Sequence, residues 1–383
     1  MSTSNWDMGN GPGGGINTGG SFVAGLLTNI TPNVGNTAGG TDVTINGNGY
    51  LIGMSVEFDG TLATDVVVVS PTELTCKTPP HAAGLVDVRT VLPNGNYGLI
   101  AQGFTYDPNA GGPPFRVADY GNPRAEDQEL LELINRARRN PTAEGVRLGI
   151  DLSAYPPIQP VIMNEFLLAA ATSHTQDMAA RGFFDHLNPD GVNANGRVLD
   201  STYALHPSYG TQRTVNRTEN IGQGSGNQFN TPQRVHDAFV IDAGVVGVKH
   251  RQMILGGPGF EDRREVGPSF FANLTSPSVF KHYCTQEFAR TATDKPFILG
   301  TVFQDADNDG IARGAEGQGN VSVTLADQNG FSLTTQSKDA GGFGFEVFVD
   351  GTYTLTINGQ STQVVVAGKS VKVDLVNGAI RTY

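Results

Sequence analysis

Hydrophobic and polar positions alternate along two separate parts of the chain. From residue 27 to residue 107 the alternating runs are short, as in DVTING and DVVVVS, and turn pairs such as NG and SP separate them. The same pattern returns from residue 294 to residue 383, in runs such as NVSVTLAD and TYTLTING. Because strict alternation with frequent turns is typical of small antiparallel sheets, we predict a β-sandwich in each part.

The region between these parts, residues 123–293, has a helical spacing of apolar residues. Leu130, Ile134 and Ala137 lie on one face of a predicted helix. Acidic residues precede them and arginines follow them, which is the order that the helix dipole favours. The pair Asn140-Pro141 predicts where this helix ends.

Two further helices are predicted in the same region. One runs from about Met163 to Arg181, and the other begins after Thr231, with Pro232 in the first helical position. β-like segments such as FKHYCTQEF follow them. Residues 123–293 are therefore predicted to form an α+β domain.

Segments rich in glycine and proline flank the predicted domains. The chain has 50 glycines and 21 prolines, and residues 1–26 are rich in glycine and asparagine, which predicts a flexible start. Residues 108–122 contain GGPP and are predicted to be a linker. The expected fold class is a multidomain protein in which an α+β domain lies between two all-β immunoglobulin-like sandwiches.

The charge balance excludes one class of partner. The chain has 37 acidic and 25 basic residues and a formal net charge of -12, without any run of Lys and Arg. Such a surface repels phosphate groups, so cations are expected as partners and nucleic acid is not. No segment reaches the roughly 18 apolar residues of a transmembrane helix, and residues 1–26 lack the features of a signal peptide. Cys76 and Cys284 fall in different predicted domains, which argues against a disulfide framework.

Residues 27–107 resemble a known domain family. The segments ITPNVGNTAGGTDVTINGNGY, SPTELTCKTPPHAAGLVDV and GFTYD follow one another with the spacing of the immunoglobulin-like IPT/TIG domain. The resemblance implies a module that serves as a spacer or a binding unit and carries no catalytic groups.

Three motifs of the middle region carry two histidines and two acids. FFDHLNPDG contains His186, RTENIGQG contains Glu219, and VHDAFVIDAGVVGVKHRQMIL contains Asp242 and His250. An imidazole supplies a near-neutral base or a nitrogen ligand, and a carboxylate can orient it or take up its proton. Since Asp242 has helical spacing from Phe239, we expect it to face protein, with His186 or His250 as its partner.

These motifs, together with LLELINRARRNP, AAATSHTQDMAARG and YCTQEF, resemble a bacterial CAP superfamily (SCP-like) domain over about residues 123–293. Relatives in this superfamily include cysteine-rich secretory proteins, venom antigens and plant pathogenesis-related proteins. The resemblance implies an α-β-α sandwich with a cleft lined by His186, Glu219, Asp242 and His250. Asp242 departs from the pattern, because many relatives have glutamate at this position.

Other polar features of the middle region receive structural interpretations. His174 lies on the apolar face of its predicted helix and is expected to be a core histidine. His206 and His236 are expected to be solvated. GQGSG at residues 222–226 does not fit a nucleotide-binding loop and is predicted to be flexible. Because no GxSxG elbow or cysteine nucleophile accompanies the histidines, an enzyme built here would use an activated water.

The segment DADNDGIARGAE at residues 305–316 fits the twelve-residue calcium-loop pattern D-x-D-x-D-G-x5-E. The expected calcium ligands are Asp305, Asp307, Asp309, Ile311 through its carbonyl, and Glu316 through both oxygens. With its strand-like flanks, GTVFQDADNDG resembles the calcium-binding B-repeat modules of bacterial surface adhesins. The alternative is an acidic surface turn that binds no cation.

The resemblances imply an extracellular or cell-surface bacterial protein whose ligand is a protein, a lipid or a polysaccharide. In one hypothesis the middle domain is a binding unit whose cleft holds a divalent metal, with His186 and His250 as zinc ligands. In the other, Glu219 or a histidine activates water to hydrolyse an extracellular peptide, lipid or cell-wall substrate. Both hypotheses include calcium at the C-terminal loop.

Overall fold

The computed structural model describes residues 26–107, 110–111, 113–274 and 279–383. The chain forms two compact units, of which the first ends at Pro114 and the second is Phe115–Tyr383. Within these described ranges no helix is long and apolar enough to cross a membrane. The predicted flexible start lies outside the described residues, except for Leu26.

The first unit consists of two facing sheets. Its strands are β1 (Leu26–Thr31), β2 (Val34–Gly35), β3 (Asp42–Asn48), β4 (Ser55–Phe58), β5 (Thr61–Leu62), β6 (Thr64–Ser70), β7 (Glu73–Lys77), β8 (Gly84–Val91) and β9 (Tyr97–Tyr106). One sheet has the order β1-β3-β7-β6 and the other β2-β9-β8-β4-β5. Alternate residues of β3, β4, β7 and β8 enter one shared core, as the sequence pattern predicts, and Ile45 and Phe104 are fully buried there.

The second unit begins with its helical part. Its elements are β10 (Phe115–Val117), α1 (Ala125–Arg139), α2 (Pro141–Leu148), β11 (Ile162–Met163), α3 (Glu165–Arg181), α4 (Ala194–Asp200), β12 (Glu219–Gly224), α5 (Pro232–Ile241), α6 (Lys249–Leu255), β13 (Glu265–Ala272) and β14 (His282–Ala289). The predictions for α1, α3 and the start of α5 are confirmed, including Thr231 as N-cap. Residues 222–224, predicted to be part of a flexible loop, instead belong to strand β12.

Helices cover both faces of a central sheet with the order β11-β13-β14-β12. On one face Phe270 and Cys284 pack in a core shared with α1, α5 and α6. On the other face Tyr283 and Ala289 pack against α3 and α4. Helix α3 approaches the sheet closely at Gly267, where an added Cβ would lie 2.0 Å from the backbone of Leu167.

The second unit ends in a β-sandwich. Its strands are β15 (Phe297–Phe303), β16 (Ser322–Ala326), β17 (Ser332–Gln336), β18 (Gly342–Val347), β19 (Gly351–Ile357), β20 (Gln360–Val366), β21 (Val371–Val376) and β22 (Ala379–Thr382). The two sheets have the orders β10-β18-β15-β21-β22 and β17-β16-β19-β20. Strand β10 lies in the predicted linker 108–122 and pairs with β18, because Phe115 is fully buried in the sandwich core.

A buried polar network joins the helical part to this sandwich. Lys372 Nζ on β21 lies 2.9 Å from Glu132 Oε2 on α1 and contacts the Asp374 carboxylate. Thr301 Oγ1 donates to Glu132 Oε1 (2.7 Å), and Gln128 Nε2 donates to Thr301 Oγ1 (3.1 Å). The regions predicted as separate domains, 123–293 and 294–383, therefore lie in one compact unit.

Candidate functional site

The first histidine–carboxylate pair joins a loop to the start of a strand. Gly182, in the left-handed conformation, ends α3, and His186 lies in the loop that follows. Its Nδ1 is 2.7 Å from Oε1 of Glu219, the first residue of β12. Because a carboxylate only accepts hydrogen bonds, Nδ1 carries the proton and Nε2 keeps a lone pair. The Glu219 side chain is fully buried, whereas 35% of the His186 side chain is exposed.

Arg197 on α4 holds both members of this pair. Its Nη2 donates to Glu219 Oε2 (2.6 Å), and its Nη1 donates to the backbone carbonyl of His186 (2.9 Å). Nothing in the motif pattern indicates Arg197, since it lies between FFDHLNPDG and RTENIGQG without a distinctive neighbour. The positive charge of Arg197 compensates the buried Glu219 carboxylate, and its hydrogen bond to the His186 carbonyl fixes the loop that carries His186.

A second buried acid, Glu287, lies opposite Glu219. The two residues are directly paired in the register of β12 with β14, and both side chains are fully buried. Burial, reinforced by the nearby Glu219 charge, raises the pKa of Glu287 well above its usual range. Burial also raises the pKa of Glu219, to about 7, although Arg197 opposes part of this shift. Glu287 is therefore the acid that holds a proton at pH 7, and Glu219 is the more readily ionised acid of the pair.

The second pair consists of His250 and Asp242. Asp242 caps the C-terminus of α5 in the left-handed conformation (φ 51°), which aspartate tolerates better than most residues. Its Oδ1 lies 2.8 Å from His250 Nδ1, and its Oδ2 accepts from the backbone N–H of Arg251 (3.2 Å). The His250 ring stacks on Phe239 with centroids 4.9 Å apart. Asp242 is buried and partnered by His250, as the helical spacing predicts.

The two pairs are neighbours, joined through the backbone. Asn220, next to Glu219, donates from Nδ2 to the carbonyl of His250 (3.3 Å). Burial lowers the pKa of His186, with Lys249 among the charges that lower it further, so this imidazole is neutral at pH 7. In the described ranges, three acidic or histidine ligand atoms lie within 4.8 Å of one another only at Asp305, Asp307 and Asp309. The four cleft residues are thus two dyads rather than one tight cluster.

Two further histidines of this region, His174 and His236, are buried. His174 is buried, and burial lowers its pKa to about 3, in agreement with the predicted core position. The prediction that His236 is solvated is wrong, because it is fully buried with Nε2 3.0 Å from Glu144 Oε1. Glu144 lies far away in the sequence, on α2, so periodicity around His236 could not reveal this partner.

A cavity of about 390 Å³ lies beside the first pair. Asn216 lines it and also donates from Nδ2 to the backbone carbonyl of Glu219 (3.1 Å). The remaining wall includes the aromatic residues Tyr209 and Phe260 and the cation Arg263. This volume is within the range of small-molecule sites.

The predicted calcium loop brings three of its five predicted ligands together. Carboxylate oxygens of Asp305, Asp307 and Asp309 lie within 4.8 Å of one another. Backbone N–H groups of Asp309 and Gly310 donate to Asp305 (3.1 and 3.2 Å) and fold the loop around it. Ile311 is buried, and its N–H donates to Asp309 Oδ1 (2.8 Å).

Glu316, the fifth predicted ligand, lies outside the three-aspartate cluster. Its two oxygens accept from the backbone N–H groups of Ala306 and Arg313, both at 2.9 Å, and are not part of the three-aspartate cluster. Arg313 also contacts Asp309 through Nε and reaches Glu129 on α1, with Nη1 2.6 Å from Oε1. The loop is therefore tethered to the helical part of the unit.

Comparison with known proteins assigns the first unit. Residues 26–106 match the family model of the IPT/TIG domain. Residues 26–106 form an IPT/TIG domain. This match confirms the resemblance proposed for residues 27–107. A search of curated proteins finds no match to the chain.

Solved structures resemble the chain only in part. The extracellular region of plexin A4 is 25% identical, with 22% of this chain and 8% of that chain covered and a TM-score of 0.19. An auxiliary nutrient binding protein from Bacteroides ovatus is 21% identical, with 27% and 25% covered and a TM-score of 0.18. The chain thus covers a quarter or less of either protein. All of the predicted site residues lie in the second unit, outside the IPT/TIG domain.

Proposed function

We propose that the second unit contains a CAP-like binding module of an extracellular or cell-surface bacterial protein, which holds a divalent metal such as zinc at His186 and His250. The observation that supports it is the shared geometry of the two dyads, in which a buried carboxylate binds Nδ1 of each imidazole. Metal-binding histidines characteristically pair in this way, because the carboxylate fixes the tautomer and raises the basicity of the other nitrogen.

The surroundings of His186 favour ligation by a neutral imidazole. Burial lowers its pKa, so no proton has to leave at pH 7 before Nε2 can bind a cation. Arg197 and the proton on Glu287 favour the charged form of Glu219, although burial raises its pKa to about 7. A bound divalent ion would supply Lewis acidity, and its remaining positions would be open to water or to a ligand.

Calorimetric titration of the full chain with zinc chloride tests this proposal. We expect His186→Ala/His250→Ala to abolish uptake, whereas the control His81→Ala/His206→Ala, in histidines outside the dyads, leaves it unchanged. Because histidine must be neutral to ligate, wild-type binding should weaken as pH falls below about 6. Equal uptake by wild type and the dyad variant would exclude the site.

A hydrolytic function is the second candidate, and the unequal acid pair favours it. Glu219 is a carboxylate hydrogen-bonded to His186, and Glu287 behind it holds a proton, which is an arrangement suited to moving a proton from water. A screen of peptides, esters, lipids and cell-wall fragments would detect turnover. Any turnover should be lost in Glu219→Gln, and turnover that survives this change would eliminate the mechanism.

We also propose that the C-terminal loop binds calcium, as in adhesin B-repeats. The support is the convergence of three aspartates whose mutual repulsion a cation would relieve. Calcium at about a hundredfold excess over Kd would stabilise the fold by about 2.7 kcal/mol. Thermal melts of the full chain in calcium and in EDTA should differ, and Asp305→Ala/Asp309→Ala should remove the difference. The control Asp339→Ala/Asp350→Ala, in exposed acids elsewhere on the sandwich, should retain it.

The IPT/TIG domain would serve as the spacer or interaction unit of this protein. Its expected ligand is an extracellular protein, lipid or polysaccharide. Protease treatment of intact cells tests the proposed location, because a surface protein is cleaved under these conditions. Protection equal to that of a cytoplasmic marker would contradict it.

A further inference from the structure

A second cavity of the same unit lies apart from the histidine dyads. It has a volume of about 300 Å³ and is lined by α1, residues 157–160, the loop residues Gly310 and Ile311, and β21. None of His186, Glu219 and His250 lines it. Strand β22 pairs with β21 and places Tyr383 at the cavity wall.

The cations of this cavity exceed its acids. Arg136, Arg139, Lys369 and Lys372 line it, against Glu132 and Asp374. Lys372 is neutralised by both acids, and Arg136 pairs with Glu144 at 2.9 Å. For Arg139 and Lys369, no ion pair with an acid is found in the part of the chain that the structure describes. With Glu144 included, four cations face three acids, so one positive charge is left uncompensated at the cavity, in a chain whose net charge is -12.

The rest of the wall is largely apolar. Pro157, Ile158, Pro160 and Ile311 line it together with the ring of Tyr383. The Arg139 guanidinium lies over the face of that ring, 4.3 Å from its centroid, and Lys372 Nζ lies 5.2 Å from the same centroid, so the ring holds positive charge at the cavity wall. Gln159 adds a polar group whose Oε1 already accepts from the backbone N–H of Ser370 (2.9 Å).

We propose that this cavity binds a small anion that carries one aromatic or aliphatic group, either a carboxylate or a phosphate monoester. Arg139 and Lys369 would bind the anionic group, and Ile158, Pro160 and Tyr383 would cover the apolar group. The volume is at the lower end of the range for small-molecule sites, which suits a ligand with one ring. The proposal does not depend on metal at the dyads, because none of their residues lines the cavity. Gly310 and Ile311 belong to the predicted calcium loop, so the titrations are run both in calcium and in EDTA.

Calorimetry of the full chain with defined probes tests this inference. Phenyl phosphate and benzoate represent the two anion types, phenol and benzylamine keep the ring without a negative charge, and inorganic phosphate lacks the ring. We expect at least one anionic probe to bind with a Kd of about 1 mM or tighter, and the other three probes to bind at least about tenfold more weakly. The stronger of the two anionic probes identifies the preferred head group.

Charge-removing variants locate the site. Arg139→Gln/Lys369→Gln should weaken binding of the anionic probe about tenfold or more, since hydrogen bonds to charged groups are lost. The matched control Arg234→Gln/Lys338→Gln, outside the cavity, should not. Ile158→Glu, which adds a carboxylate to the apolar wall, should abolish binding, and melting temperatures of all variants check folding. Absence of anion binding in the wild type, or equal binding by the cavity and control variants, would overturn the proposal.

Discussion

Replacement of Lys372 by Met tests whether the buried polar network joins the two parts of the second unit. Methionine has a similar length but no charge, so Glu132 and Asp374 lose the ammonium that neutralises them. Loss of one partner of a buried ion pair typically costs about 3–5 kcal/mol. We therefore expect Lys372→Met to lower the free energy of unfolding by about this amount at pH 7.

The pH dependence of this loss follows from the carboxylates that remain. Burial already raises the pKa of Asp374, and removal of the ammonium raises it further. Such an acid avoids the cost of a buried charge when it takes up a proton. For a group with an unfolded-state pKa near 3.9, protonation costs about 4 kcal/mol at pH 7 and about 1.5 kcal/mol at pH 5. Stability of the variant is thus highest below the unfolded-state pKa and falls as pH rises towards the folded-state pKa. The deficit should be clearly smaller at pH 5 than at pH 7.

Urea unfolding at both pH values measures the deficit, and peptide-resolved hydrogen exchange at pH 7 locates it. Protection should fall together in α1 and β21, because both belong to one compact unit. The control is Lys77→Met, which removes an exposed pair with Asp42 (2.6 Å) and should cost no more than about 1 kcal/mol. Glu132→Gln/Asp374→Asn in the variant background should recover part of the loss. A loss equal to that of Lys77→Met, or one that does not change with pH, would refute this reasoning.

Two further changes probe the central sheet. Gly267→Ala should destabilise the second unit by several kcal/mol in urea unfolding, because the new methyl group overlaps the Leu167 backbone. In the control Gly351→Ala the nearest neighbour of the new methyl group is 3.9 Å away, so stability should change by less than about 1 kcal/mol. Similar losses in the two variants would contradict the close packing of α3 on the sheet. Burial raises the pKa of Glu265 from 4.5 to about 7, so the wild type loses stability as pH rises through this interval, by roughly 3 kcal/mol in total. Glu265→Gln should flatten this part of the stability profile, and an unchanged slope would show that Glu265 is already ionised.

Local signals in the sequence predict the elements of the fold better than their partners. The start of α5 at Pro232 follows from a capping threonine and a proline, both of which act within one helical turn. Strand β10 escapes prediction because its composition is that of a linker, and only the burial of Phe115 in a distant core makes it a strand. Local preference is overridden there by tertiary packing.

In the candidate site, too, residues within a motif can be predicted from the sequence, whereas their distant partners cannot. His186, Glu219, Asp242 and His250 can be identified from motifs, and the structure pairs each histidine with one of the two acids. Glu287 cannot be identified in this way, because its position opposite Glu219 depends on the register between two strands far apart in the sequence. Arg197 is likewise recognisable only when α4 is placed beside β12.

Strand β10 has a mechanical consequence for a chain that is placed under tension. It is the first element after Pro114, and it lies at the edge of its sheet, paired along only three residues with β18. Tension transmitted from the IPT/TIG domain would reach the second unit at this strand and would separate its residue pairs one after another. The burial of Phe115 would resist the first step. Once β10 is released, each of its three residues would add up to about 3.5 Å of extension, until the buried side chains of Ala118 and Tyr120 resist the next step.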